Sequence, residues 1–172
     1  MEDTIMAKNA LEQFLALYNT NNPSLPQPLT LADAEILDPN AYEGGGKNTM
    51  VEIHALPEST VFTGMIEVHY TRLDTGLSNE TVEGSPDDWR DDAFVTAALN
   101  TRLQANFPDD MFMQGELNIG RNDELNGSLS VIVNWPRSFK FLPPQGPNGV
   151  VKFTISSKTQ LAGTDGELNG FS

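Results

Sequence analysis

Apolar residues along this chain fall into two rhythms, one at helical period and one strictly alternating, and these divide the sequence into elements. Leu11, Phe14, Leu15 and Tyr18 stand at i, i+3, i+4 and i+7, which predicts a helix over residues 4–19 with one buried stripe. Thr4 or Asp3 is placed to cap its start. Asn19-Thr20-Asn21-Asn22-Pro23 stops it, because proline cannot continue a helix and asparagine favours turns. A second helix is predicted over residues 85–106. Ser85 offers an N-cap oxygen, Pro86 suits a first turn, and the acids that follow meet the positive end of the helix dipole. Val95, Leu99 and Leu103 then face a core, and Phe107-Pro108 ends the helix.

Alternation marks the strands. Residues 50–56 set Val51, Ile53 and Ala55 on one face and Glu52 and His54 on the other. Ile66, Val68 and Tyr70 repeat the pattern against Glu67, His69 and Thr71, and the intervening residues 57–64 form a hairpin connection, so these strands pair antiparallel. Three further strands are expected over 113–119, 128–135 and 150–156. The polar run 121–127 between the first two ends in Asn126-Gly127, a strong hairpin signal.

The rest is punctuation. Pro23, Pro26, Pro28 and Pro39 exclude a long helix or a central strand from residues 20–48. That segment is expected to be an extended arm, pinned across a surface by Leu25, Leu29, Leu31, Ile36 and Leu37, and Gly44-Gly45-Gly46 gives it a jointed end. Residues 143–149 form a stiff exposed loop, and the Gly-rich residues 158–172 a flexible tail. The order is helix, arm, two strands, helix, three strands. It implies a single α+β domain over residues 1–157, built on an antiparallel sheet of about five or more strands with two helices.

Composition narrows the partners. A chain of 172 residues suits one domain, and 38% apolar content, slightly low for a globular protein, fits an arm and a tail. The net charge of −14 argues against nucleic acid or an anionic membrane as a primary partner and keeps copies apart until specific contacts prevail. Without cysteine there are no disulfides, thiolate nucleophiles or thiolate zinc sites. No apolar run approaches the roughly 18 residues that span a bilayer. Met1-Glu2-Asp3-Thr4 is acidic, unlike a signal peptide, so the expected location is a cytoplasm or a particle assembled in one.

Little in the sequence points to chemistry. His54, His69 and Glu67, with Glu52 on the same faces, are the candidates for a metal site, because a hairpin brings one imidazole and one carboxylate from each strand together. Solvated cross-strand pairs are the favoured account of them, since such a cluster arises by accident on any polar sheet face, and no metal or cofactor is expected. The pairs Asp87-Asp88, Asp91-Asp92 and Asp109-Asp110 lack the fixed separation and burial that acid–base catalysis needs. Residues 122–127 lack the ligand spacing of a calcium loop. The run Gly44-Gly45-Gly46-Lys47-Asn48-Thr49 precedes a strand, not a helix, and so is no phosphate loop. Neither histidine lies in a context that orients it as a base for a serine, and no nucleophile elbow is present.

Residues 19–74 carry a resemblance. Asn22-Pro23-Ser24-Leu25-Pro26, Leu29-Thr30-Leu31 and Ile36-Leu37-Asp38-Pro39 lead into Gly44-Gly45-Gly46-Lys47-Asn48-Thr49. Gly64 then opens Ile66-Glu67-Val68-His69-Tyr70-Thr71-Arg72-Leu73-Asp74. This resembles an uncharacterised family of small virion structural proteins of large contractile-tailed phages. The resemblance implies a packing unit of neck, tail, baseplate or capsid surface, with other virion proteins and copies of itself as partners, the virion as location and no catalytic residues. The alternative is a receptor- or carbohydrate-binding β-rich module of a fibre, for which Trp89, Trp135, Phe139 and Phe141 are the candidate aromatics. A cell-wall hydrolase stands third and needs a buried carboxylate or a metal.

Overall fold

The computed structural model describes residues 10–158, 161 and 164–170. It is a mixed α+β architecture in which two helices accompany two four-stranded sheets. In chain order the elements are α1 (Ala10–Asn21), β1 (Ala34–Ile36), β2 (Asn40–Gly44), β3 (Lys47–Ala55), β4 (Met65–Tyr70) and β5 (Glu80–Glu83). Then follow α2 (Asp92–Leu103), β6 (Asn118–Asp123), β7 (Leu129–Asn134) and β8 (Val151–Ser156).

The first sheet is centred on β3. On one side β4 pairs with it antiparallel along its whole length, with Val51 opposite Val68 and Ile53 opposite Ile66, as alternation predicts. The other side is shared end to end by β1 and β2. Here the extended arm expected over 20–48 is corrected: its second half folds into two short edge strands. Pro39 falls between them, and an edge position demands no ladder donor there. The first half is pinned at Leu29, whereas Leu31, expected to share that role, is 48% exposed. Asn19 donates to the Leu29 carbonyl at 3.0 Å and accepts the Leu29 N–H at 2.8 Å, which holds buried Leu29 under the sheet.

Helix α1 closes on side chains. Thr20, Asn21 and Asn22 donate to the carbonyls of Ala16, Leu17 and Tyr18, each at 2.8 Å; of these the Tyr18 carbonyl is one that the helix leaves open at its end. The expected residues 4–9 of this helix, and the caps Thr4 and Asp3, lie outside the described residues. Phe14 and Leu15 of α1 are buried with Leu29, Ala34, Val51 and Ile53 in a first core.

The second sheet runs β5-β8-β7-β6, antiparallel except for the β5–β8 pair. Helix α2 covers one face and buries Val95, Leu99 and Leu103 against Leu129, Val131, Val133, Phe153 and Ile155. It starts later than the Ser85 cap suggests. A 3-10 turn, Asp88–Arg90, first tucks Trp89 to within 5.4 Å of the Phe153 ring. Extended Asp91 then caps α2 by accepting the Ala93 N–H at 3.0 Å.

The strand expected over 113–119 also shifts, to β6. Arg121 belongs to a strand despite its charge because it reaches inward, donating to the Trp89 carbonyl at 2.8 Å and to Asp92 at 2.7 Å. The turn after it holds Asn126 and Gly127, the latter at φ 85, as the Asn-Gly signal demands. β5 escapes prediction because Glu80-Thr81-Val82-Glu83 offers one bulky apolar residue. In the tail, residues 164–170 are exposed and form neither helix nor strand.

Candidate functional site

Two of the motifs that carry the resemblance meet in space. Past β4 the chain turns from the first sheet toward the second, and Arg72 sits in that passage at 3% exposure. Its Nε donates to the Thr49 hydroxyl at 2.9 Å and its Nη1 to the Ser138 carbonyl at 3.0 Å. The Thr49 hydroxyl passes its own proton to Asn48 Oδ1 at 2.7 Å. Asn48 in turn binds both backbone groups of Arg72. Tyr70 donates its hydroxyl to the Phe139 carbonyl at 2.7 Å, and Phe14 packs on both rings, 5.5 Å from Tyr70 and 5.2 Å from Phe139. Leu73 completes the junction: its N–H bonds the Lys140 carbonyl at 2.9 Å and its carbonyl takes the Leu142 N–H at 2.8 Å.

The electrostatics of this junction are those of a structural clamp. Arg72 hydrogen-bonds to neutral oxygens, and loss of hydration lowers its pKa from the ordinary arginine value, with the neighbouring Tyr70 opposing. Burial pushes the Tyr70 phenol well above its usual range, so it remains a donor. A guanidinium suits the place because its planar fork reaches Thr49 and Ser138 together. The sequence singled out Asn48-Thr49 and Tyr70-x-Arg72-Leu73-Asp74 only as resemblance. Thr49 and Arg72 among them are buried, and an arginine just past an alternating strand was the one signal of it.

The metal candidates occupy the open face of the first sheet. Glu52 stands directly opposite Glu67, but His54 is opposite Met65 and His69 opposite Met50, so the imidazoles lie at opposite ends of the ladder. Each binds the glutamate on its own strand: His54 with Glu52 at 2.8 Å, His69 with Glu67 at 2.5 Å. Tyr42 stacks on the His69 ring at 3.9 Å. Among the described residues no three His, Cys, Asp or Glu gather to hold a metal ion.

The acidic pairs have structural partners. Asp92 binds Arg121, Asp110 binds Lys140 at 3.1 Å, and Asp91 caps α2. Glu124, from the run compared with a calcium loop, accepts the Ser130 hydroxyl across the hairpin at 2.5 Å. The candidate sugar-binding aromatics are spent inside: Trp89, Trp135 and Phe141 are buried in the second core, and Phe139 packs on the first. Among the described residues no helix is long and apolar enough to cross a membrane.

A model for a family of unknown function, DUF7941, matches residues 3–136. The chain belongs to that family. The DUF7941 span takes in the first sheet, the Asn48–Arg72 contact and α2, and ends after β7. It leaves out β8, the strand that joins β5 to β7 in the second sheet. No curated protein sequence and no solved structure matches the chain.

Proposed function

We propose that the protein is a non-enzymatic structural component of a tailed-phage virion, in the neck, tail, baseplate or capsid surface, that works by packing against other virion proteins and copies of itself. The observation that carries this is the use to which the resemblance motifs are put. Asn48, Thr49, Tyr70, Arg72 and Leu73 join two small sheets into one shaped body, and their hydrogen bonds go to one another and to residues 138–142. A unit that must present fixed surfaces to neighbours needs such a joint. A second support is exposed apolar side chains on β4, Met65 at 56% on the open face of the first sheet and Ile66 at 47% on the opposite one.

The test is stoichiometry. Mass spectrometry of purified particles is expected to find this chain in multiple copies, in a ratio set by particle symmetry. Its absence, or fewer than a few copies per particle, would overturn the proposal.

A further inference from the structure

Strand β4 is an open edge. It bonds to β3 on one side, and among the described residues no strand lies along the other. The Ala55 N–H bonds the Gly64 carbonyl, which fixes the phase of the ladder: even-numbered residues of β4 turn their backbone groups to β3, and Met65, Glu67 and His69 turn theirs outward. The free stretch has two ends. Gly64, at φ 83, breaks the strand on one side, and beyond Thr71 the backbone of Leu73 is already bonded to Lys140 and Leu142. What is open is the run from Met65 to Thr71, and Val68 is its midpoint.

We propose that this edge pairs with the same edge of a second copy, antiparallel, on a two-fold axis through Val68. This deepens the assembly function proposed above by naming one partner surface. An antiparallel register is allowed only where outward residues face outward residues. With Val68 opposite Val68, Glu67 of each copy faces His69 of the other, Ile66 faces Tyr70, and Met65 faces Thr71. The acid–imidazole pair then occurs twice across the seam on the open face, where each Glu67 also holds the His69 of its own copy, and the apolar residues meet on the face that carries α1. Shifting the register by one allowed step in either direction sets Glu67 against Glu67 or His69 against His69. The sequence Ile66-Glu67-Val68-His69-Tyr70 is therefore self-complementary in one register, while its neighbours set acid against acid or imidazole against imidazole.

Pairing of this kind would also cover exposed Met65 and Ile66, on an edge that otherwise recruits strands without selection. The net charge of −14 opposes any self-association, but charges farther apart than about 8 Å are screened at physiological salt.

Sedimentation or light scattering on the full chain tests the pairing. The expected mass is twice the 18.8 kDa of the chain. His69→Glu sets acid against acid in the proposed register and is expected to give monomers with an unchanged circular dichroism spectrum. The exchange Glu67→His with His69→Glu restores opposite partners and is expected to restore the dimer. His69→Pro removes an outward N–H that takes no partner among the described residues, and is expected to abolish pairing while the edge strand survives. A wild-type monomer at the highest soluble concentration, or a dimer indifferent to His69→Glu, would overturn the pairing. The two proposals fail separately: a chain monomeric in solution yet multicopy in particles loses this edge and keeps its function, and a dimer absent from particles does the reverse.

Discussion

Asn48 holds Arg72 as a neighbouring strand would, its side-chain amide donating to the Arg72 carbonyl at 3.0 Å and its Oδ1 accepting the Arg72 N–H at 2.8 Å. One side chain thus extends the β3–β4 ladder beyond Tyr70 and delivers the arginine into the junction. Asn48→Ala leaves both backbone groups without their partner, at a cost of about 1–3 kcal/mol. Asn48→Asp keeps the acceptor and loses the donor, so it should recover only part of that. Urea unfolding of the three proteins gives the comparison, and equal midpoints would mean that the ladder ends at Tyr70.

Arg72→Met is expected to cost more, about 2–4 kcal/mol, because it takes the donor from the Ser138 carbonyl and from the Thr49 hydroxyl oxygen at a buried place. Arg72→Lys should not rescue it, since one ammonium cannot copy the fork. The sharper outcome is a loss of cooperativity. Both histidines of the chain lie on the first sheet, and both tryptophans lie in the second core. Histidine ring proton signals and tryptophan fluorescence should therefore report one coincident urea transition in the native protein and two separated ones in Arg72→Met. Coincident transitions in the variant would show that the sheets are joined mainly by something else.

The patterns in the sequence were most legible where a face is buried. The β3–β4 pair, the stripe of α2 and the Asn126-Gly127 turn could be read because alternation, helical spacing and turn chemistry each act within a few residues. Misreadings share a different cause, a long-range partner. Arg121 belongs in a strand because Trp89 and Asp92 receive it, and residues 34–36 and 40–44 become strands because β3 offers an edge. Trp89 needs a place against Phe153, which moves the start of α2 from Ser85 to Asp91. The candidate site shows the same limit. Face and composition brought His54, His69, Glu52 and Glu67 onto one surface, but only the register shows that the imidazoles lie at opposite ends of it.

The cap of α2 can be tested directly. Asp91→Ala removes an oxygen that accepts the Ala93 N–H, and caps of this kind contribute about 1 kcal/mol. Ser85→Ala touches a residue that the helix does not use and should change stability by no more than about 0.5 kcal/mol. Reversed magnitudes in urea unfolding would put the start of the helix at Ser85.

Glu80 ties the parallel strand β5 to α2. Its carboxylate takes Arg102 Nε at 2.8 Å and Nη2 at 2.9 Å, and the same guanidinium lies 5.3 Å from the Phe153 ring. That hydrogen bond is the main reason the Glu80 pKa falls below the ordinary 4.5, burial opposing it and the Arg102 charge adding to it. A carboxylate whose folded pKa is depressed stabilises the fold above its unfolded value, and the contribution disappears as pH falls through the folded one. Glu80→Gln should therefore be the less stable protein near about pH 7, and the gap should close as the solution is acidified below about pH 4. With 45% of the Glu80 side chain exposed, the gap is small, at most about 0.5–1 kcal/mol, and added salt should narrow it. Urea midpoints of both proteins at neutral and acid pH measure it; a gap that stays constant on acidification would mean that Glu80 holds β5 by packing and not by charge.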